Sequence, residues 1–397
     1  MSTMTKAAFT LLFVASALIS ASQVDNEVSH KLTQELQALA DEELLVGFSV
    51  AIFDAEGTLY QKGFGYADTE KQIKYTAHTI QNIASISKTF SGIALLKAQE
   101  LGLLDLDDPI NKHLSFEVIN PYHPEEEITI RQVASHTSSI QDRGWWYGFN
   151  CYVLEEKKKR GEKKKIYFSN PDKMLSLGEF YQSYLKKGGK NYKKKSFTKH
   201  KPGDYYEYSN IASALGAYII ELTSGQNFKD FTQRYIFDPL DMSSTGWSFD
   251  DVDIDQHSRI YTVSKKPLAF YSLITYPDGG LRTTAHDMAI YASELIRGHT
   301  GRGKLLSIES YKEVFTGSLT DEQVTKRGYD NYAVFFEISE SNQIGHGGSD
   351  PGVTTLMYFD PEKMVGRYLQ VNTEVNKKNR SNFITIYNKL KEYQDKL

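Results

Sequence analysis

The sequence predicts a mixed α/β protein in which both ends of the chain build one sheet and a helical subdomain is inserted between them. Three observations carry this. Short β-rich apolar runs stand early, at 46–53 and 58–66. Long apolar stretches of helical length fill the middle. β-rich runs then return at 332–338, 354–359 and 365–371, before a last helical stretch at 382–393. Strand runs at both termini with helices between them are the pattern of a sheet closed by distant segments.

Each element has a local reason. Residues 26–39 place Val28, Leu32, Leu36 and Leu39 at helical spacing. The runs at 46–53 and 58–66 flank Asp54-Ala55-Glu56-Gly57, which reads as the turn of a β-hairpin. Residues 86–101 are apolar on nearly every face and stop at Gly102, which marks a buried helix with a glycine end. Apolar helices follow at 211–222, stopping near Gly225, and at 285–296. Asp360-Pro361-Glu362-Lys363 makes a turn between the last two strands. The organisation expected is a leader at 1–22 and a single domain at 23–397. Within that domain the sheet part covers about 23–80 and 297–397, and the helical part about 81–296.

The 397 residues, 40% of them hydrophobic, suffice for a sizeable core. Lys6 precedes an apolar run from Ala7 to Ile19, followed by Ser20, Ala21 and Ser22. A positive start, a short apolar core and a small-residue exit describe a secretory signal peptide, and so a secreted or extracytoplasmic protein. The alternative is an uncleaved N-terminal anchor; no later run is apolar enough to span a bilayer. Cys151 is the one cysteine, so no intrachain disulfide forms.

The formal net charge is −4, which gives no sign of a nucleic-acid partner. From Lys157 to Lys201, however, fifteen lysines and Arg160 face only Glu162, Asp172 and Glu179, a net +13. This basic insertion reads as a solvated face or as a rim that attracts anionic substrates or an anionic surface.

The chemistry is carried by three short elements. Ser85-Ile86-Ser87-Lys88 is an S-x-x-K motif at the head of the buried helix. Positions i and i+3 share a helix face, so the Lys88 amine can reach the Ser85 hydroxyl. A serine hydroxyl needs such a base, and a lysine serves if burial and positive neighbours lower its pKa. Ser183/Lys186 and Ser196/Lys199 match the same motif, but only Ser85 opens a long apolar helix. The second element is Tyr208-Ser209-Asn210, ahead of another apolar helix, where Tyr208 can relay protons and Asn210 can hold a substrate amide. The third is His346-Gly347-Gly348-Ser349, on a strand whose glycines admit a ligand backbone. Each element alone is a common match; their order and context select them together.

With Gln81–Phe90, Leu103–Ile110, Ala134–Ser138 and Asp278–Thr284, these elements make the chain resemble the family of class C β-lactamases, serine D-Ala-D-Ala carboxypeptidases and related esterases, over about residues 30–375. The resemblance implies an antiparallel sheet flanked by N- and C-terminal helices, beside an all-helical subdomain, with the site in the cleft between. It implies a hydrolase that forms an acyl-enzyme on an ester, amide or peptide carbonyl of a small molecule or peptide. Ser85 is the implied nucleophile and Lys88 and Tyr208 share the proton. Asn210, His346, Gly348 and Ser349 bind substrate, the backbone N–H groups of Ser85 and Ser349 forming the oxyanion hole. No metal or organic cofactor is implied. Two departures stand out. His-Gly-Gly replaces the usual Lys-Thr-Gly, so positive charge for a substrate carboxylate is offered only when His346 is protonated. Ser139 stands where the family often has glycine. A non-catalytic binding or scaffolding protein on the same fold is the rival reading, which the joint presence of Ser85, Lys88, Tyr208 and Asn210 opposes.

Overall fold

In a computed structural model, residues 27–156, 168–327 and 330–397 are described. The leader reading at 1–22 and residues 157–167 of the basic insertion lie outside them. Helix α1 (27–41) leads into strands β1 (Gly47–Asp54), β2 (Thr58–Asp68) and β3 (Ile73–Lys74). The last strands are β8 (Asn331–Tyr332), β9 (Glu337–Ile338), β10 (Ile344–Asp350), β11 (Val353–Asp360) and β12 (Val365–Val371), and α11 (Arg380–Tyr393) closes the chain. Between them come β4 (Gln81–Asn82), α2 (Ser87–Glu100), α3 (Ile130–Ala134), α4 (Gly144–Asn150) and β5 (Tyr152–Leu154). Then follow α5 (Leu177–Tyr184), α6 (Asn210–Ser224), α7 (Phe228–Thr232), β6 (Tyr271–Leu273) and β7 (Arg282–Thr283). Helices α8 (Ala285–His299), α9 (Ile308–Phe315) and α10 (Asp321–Arg327) complete the set.

The main sheet runs β3-β2-β1-β12-β11-β10-β9-β8, antiparallel throughout. β1 pairs with β12, Phe48 opposite Val371, so residues more than 300 positions apart make its centre. Both faces are covered. On one, Leu32 and Leu36 of α1 and Phe383, Ile386 and Leu390 of α11 pack against Phe48, Val50 and Leu369. On the other, Ala51, Phe53, Met357 and Tyr368 face α2, α6 and α8. Helix α8 packs against β1, β2 and β12, so this piece of the 81–296 stretch serves the sheet.

Two helix ends follow the sequence. Gly102 (φ +70°) and Gly225 (φ +68°) take the left-handed conformation that ends α2 and α6. The run at 332–338 is not one strand, however. Phe335 is left-handed (φ +58°) and fully buried, so the chain folds back as the β8–β9 hairpin and its amide donates to Ala134 O. Burial of one aromatic ring in the helical core overrides strand propensity here. Among the described residues no helix is long and apolar enough to cross a membrane.

Candidate active site

Ser85 lies in a single 3-10 turn, Ala84–Ile86, that leads directly into α2. The turn is held tightly. Ala84 has φ +50°, a conformation that costs a residue with a β-carbon about 1–2 kcal/mol. Asn82 Oδ1 accepts the Ala84 amide at 2.7 Å, and Ser87 Oγ donates to Ala84 O at 2.6 Å. Backbone strain sustained by surrounding bonds is a recurring mark of functional sites.

Lys88 lies one turn on and is fully buried. Its ammonium donates to Ser85 Oγ at 3.0 Å, to Asn210 Oδ1 at 2.7 Å and to Asp278 O at 2.5 Å. Three donors thus meet three acceptors. Burial opposes the charge on Lys88, but Tyr208 and the Asp278 and Asp350 carboxyls outweigh it, and the amine titrates above the ordinary lysine range. Positive neighbours would lower this value; the neighbours here are acidic, and Lys88 is an ammonium at rest.

Tyr208 stands over Lys88, the amine 5.1 Å from its ring centroid. Burial raises the phenol pKa, while Lys88 and the Ser85 hydroxyl beside it pull the other way without reversing the shift. The His136 ring lies 4.4 Å from the Tyr208 ring, and His136 Nδ1 accepts the Ser209 amide. His136 therefore braces this segment.

Asn210 opens α6, with Ser209 as its cap. Asp142, absent from the sequence reading, organises this end. Its carboxylate accepts from Ser209 Oγ at 2.8 Å, from the amides of Asn210 and Ile211 at 3.0 Å each, and from Asn210 Nδ2 at 2.9 Å. A carboxylate at a helix N-terminus is doubly favoured, by its hydrogen bonds and by the helix dipole. Its signal was faint, because the partners are 67–69 residues away. Ser139 has φ +64°, which explains why glycine suits that position. Its Oγ accepts from Asn120 Nδ2 at 2.9 Å.

Strand β10 forms the opposite wall. Its outer edge pairs with β9 at Ile344 and Gly345. A β-carbon on Gly348 would stand 2.6 Å from Ile83 O and 3.0 Å from Ala84 Cβ. Only glycine lets β10 lie this close to the nucleophile turn. Thr355 Oγ1, from the neighbouring strand, donates to Ile83 O at 2.8 Å and fixes the distance. Ser349 is exposed. His346 is 4% exposed, with Nε2 2.5 Å from Tyr332 Oη and Nδ1 2.5 Å from Gly347 O. Both ring nitrogens thus lie within hydrogen-bond distance of protein groups.

Two carboxyls to which the sequence assigns no role complete the site. Asp278 precedes Gly279-Gly280, a loop that the β4–β7 pairing lays beside Ser85. Tyr147 donates to its carboxyl at 2.8 and 2.9 Å. Asp350 ends β10, and Tyr152 donates to its Oδ1 at 2.6 Å. Burial pushes both up, Asp278 to about 6 and Asp350 to about 7, with Lys88 the cation that restrains them. Cys151 is fully buried, and burial raises its thiol far above the reactive range. Among the described residues no group of three His, Cys, Asp or Glu side chains is placed to hold a metal.

A mixed sheet-and-helix body with a Ser-Lys pair at the head of its buried helix defines the β-lactamase and penicillin-binding class of fold. The family model for β-lactamase matches residues 32–387, and the chain belongs to that family. It is similar to Protein flp of Staphylococcus aureus strain COL, 22% identical over 395 residues, covering 95% of this chain and 70% of that one. It is also similar to penicillin-binding protein 4* of Bacillus subtilis strain 168, 26% identical over 338 residues, covering 80% of this chain and 66% of that one. Among solved structures, the octameric penicillin-binding protein homologue from Pyrococcus abyssi superposes with a TM-score of 0.72 at 24% identity, covering 90% of this chain and 76% of the other. At that identity the likeness speaks for the fold.

Proposed function

We propose that the chain is a serine hydrolase that forms an acyl-enzyme through Ser85 on an ester, amide or peptide carbonyl. The observation that carries this reading is the Lys88 amine 3.0 Å from Ser85 Oγ at the head of a buried helix. Ser85 Oγ attacks the carbonyl carbon and its proton passes into the Lys88–Tyr208 pair. The carbonyl oxygen, now negative, is taken by the backbone N–H groups of Ser85 and Ser349. Collapse expels the leaving group, which recovers the proton from the same pair. Water then attacks the acyl carbon and frees Ser85. Asn210 gives Oδ1 to Lys88 and one Nδ2 hydrogen to Asp142, which leaves its second Nδ2 hydrogen for substrate.

The substrate is a small molecule or peptide met outside the cytoplasm, a placement supported by the leader pattern at 1–22. The described part of the basic insertion rims a cavity of about 860 Å³, with Trp146 and Phe180 on its wall and Lys173, Lys186, Lys187 and Lys190 around it. That supports attraction of an anionic surface.

The test is turnover of p-nitrophenyl acetate. Wild type is expected to release a burst of about one nitrophenolate per chain, followed by steady turnover. Ser85→Ala is expected to lose the burst and at least about 10³-fold in kcat/KM. Equal turnover by both proteins contradicts the reading; no turnover by either favours the binding or scaffolding protein.

A further inference from the structure

We propose that Asp350, backed by Asp278, makes the active site selective for substrates that carry a positively charged group close to the scissile carbonyl. The inference deepens the hydrolase reading and rests on it.

A substrate carboxylate needs a free cation. Lys88 spends its hydrogens on Ser85, Asn210 and Asp278 O. His346 is held by Tyr332 and Gly347 O through both ring nitrogens. His346, the cation that the sequence offers to a substrate carboxylate, is therefore committed within the protein, as is Lys88.

What the site has is acid. Residues 346, 348 and 350 of β10 share one strand face, so the Asp350 side chain lies on the face that Gly348 presses against the nucleophile turn. The glycine at 279 gives the scale. A β-carbon built there would stand 3.2 Å from Asp350 Oδ2 and 3.7 Å from the carbonyl carbon of Ala84, the residue before Ser85. The carboxylate is thus one small side chain away from the nucleophile turn.

Its two oxygens differ. Oδ1 accepts from Tyr152 at 2.6 Å. Oδ2 is fully buried and has no hydrogen-bond partner among the described residues. A buried carboxylate oxygen without a donor is costly, and each such group in a native protein calls for an explanation, a functional role among them. Asp278 lies deeper, 2% exposed, with the one Tyr147 hydroxyl shared between its two oxygens. It adds negative potential rather than contact. Lys88 is the cation set against both carboxyls, so when both are ionised one negative charge stays unmatched at the site. An ammonium on the substrate supplies the donor and the charge together, and in so dry a setting the pairing is worth more than on the surface.

The experiment uses three matched fluorophosphonates whose short tails end in an ammonium, a methyl and a carboxylate. Second-order labelling rates are measured on the full chain and on Asp350→Asn and Asp278→Asn. The expected result is that wild type takes the ammonium probe at least tenfold faster than the methyl probe, and the carboxylate probe slowest. Asp350→Asn should reduce the ammonium-to-methyl ratio at least fivefold, and Asp278→Asn by less. Labelling at equal rates by all three probes in wild type overturns the inference and leaves the hydrolase reading standing. A preference that survives in both variants also overturns it. No labelling by any probe overturns the hydrolase reading, and the inference falls with it.

Discussion

Lys88 and Tyr208 hold one proton more at rest than catalysis wants. Lys88 titrates above, and Tyr208 is raised from, their ordinary values, so the resting pair is ammonium and phenol. The base is the pair after loss of one proton, and its apparent pKa belongs to both groups together. On the proposed mechanism, kcat/KM for a neutral ester should therefore keep rising with pH up to pH 10. At pH 10 Tyr208→Phe should lower it by about 10²–10⁴-fold, the usual worth of a positioned acid–base group. A profile of kcat/KM from pH 5 to 10 checks this; a flat profile in wild type contradicts the shared proton. Much of this residue set was readable from sequence. Ser85 and Lys88 are neighbours on one helix turn, and Tyr208, Ser209 and Asn210 announce a helix start. Asp142, Asp278 and Asp350 were not readable, because no spacing records a contact such as Tyr152 to Asp350 across 198 residues.

At the scale of elements, the site depends on how closely β10 approaches the turn at Ala84. Gly348→Ala would place a methyl 2.5 Å from Thr355 Oγ1 and 2.6 Å from Ile83 O. Over-packing of this kind costs about 1–3 kcal/mol, and here it also pushes the oxyanion wall away from Ser85. The expected outcome is a lower melting temperature and at least a tenfold loss in esterase kcat; wild-type activity in a folded Gly348→Ala protein contradicts the placement of that wall. The loop at Ser139 gives the opposite expectation. Left-handed backbone suits glycine, and Asn120 Nδ2 keeps the carbonyls of Thr198 and His200 as partners when the Ser139 hydroxyl is gone. Ser139→Gly should stabilise by up to about 1 kcal/mol in denaturant unfolding; a loss of that size refutes the strain argument. The two cases also mark where element reading from sequence fails. Helix ends at Gly102 and Gly225 were legible, whereas the left-handed turns at Ser139 and Phe335 carry residues that give no local sign of them.

The whole molecule joins its two termini in one sheet and sets the site where that sheet meets the helices. The early hairpin and the late strands were legible from alternation and turn residues, and so was their union in one sheet. The pairing of β1 with β12 was not, since register across the chain ends has no local signature. The fold also has a pH signature. Asp278 and Asp350, raised to about 6 and about 7, hold protons in the folded chain that an unfolded chain releases near pH 4. The folded state then binds more protons, so stability falls as pH rises from about 4 to 7. Asp350→Asn removes its share, and its stability relative to wild type should improve between pH 5 and pH 8 in urea titrations; a constant difference contradicts the buried acid. The central claim concerns Ser85 itself. The most direct measurement is mass spectrometry of the folded full-length protein after treatment with an alkyl fluorophosphonate. One adduct per chain, on the peptide containing Ser85 and lost in Ser85→Ala, is the predicted result. No adduct on wild type, or the same adduct on Ser85→Ala, contradicts it.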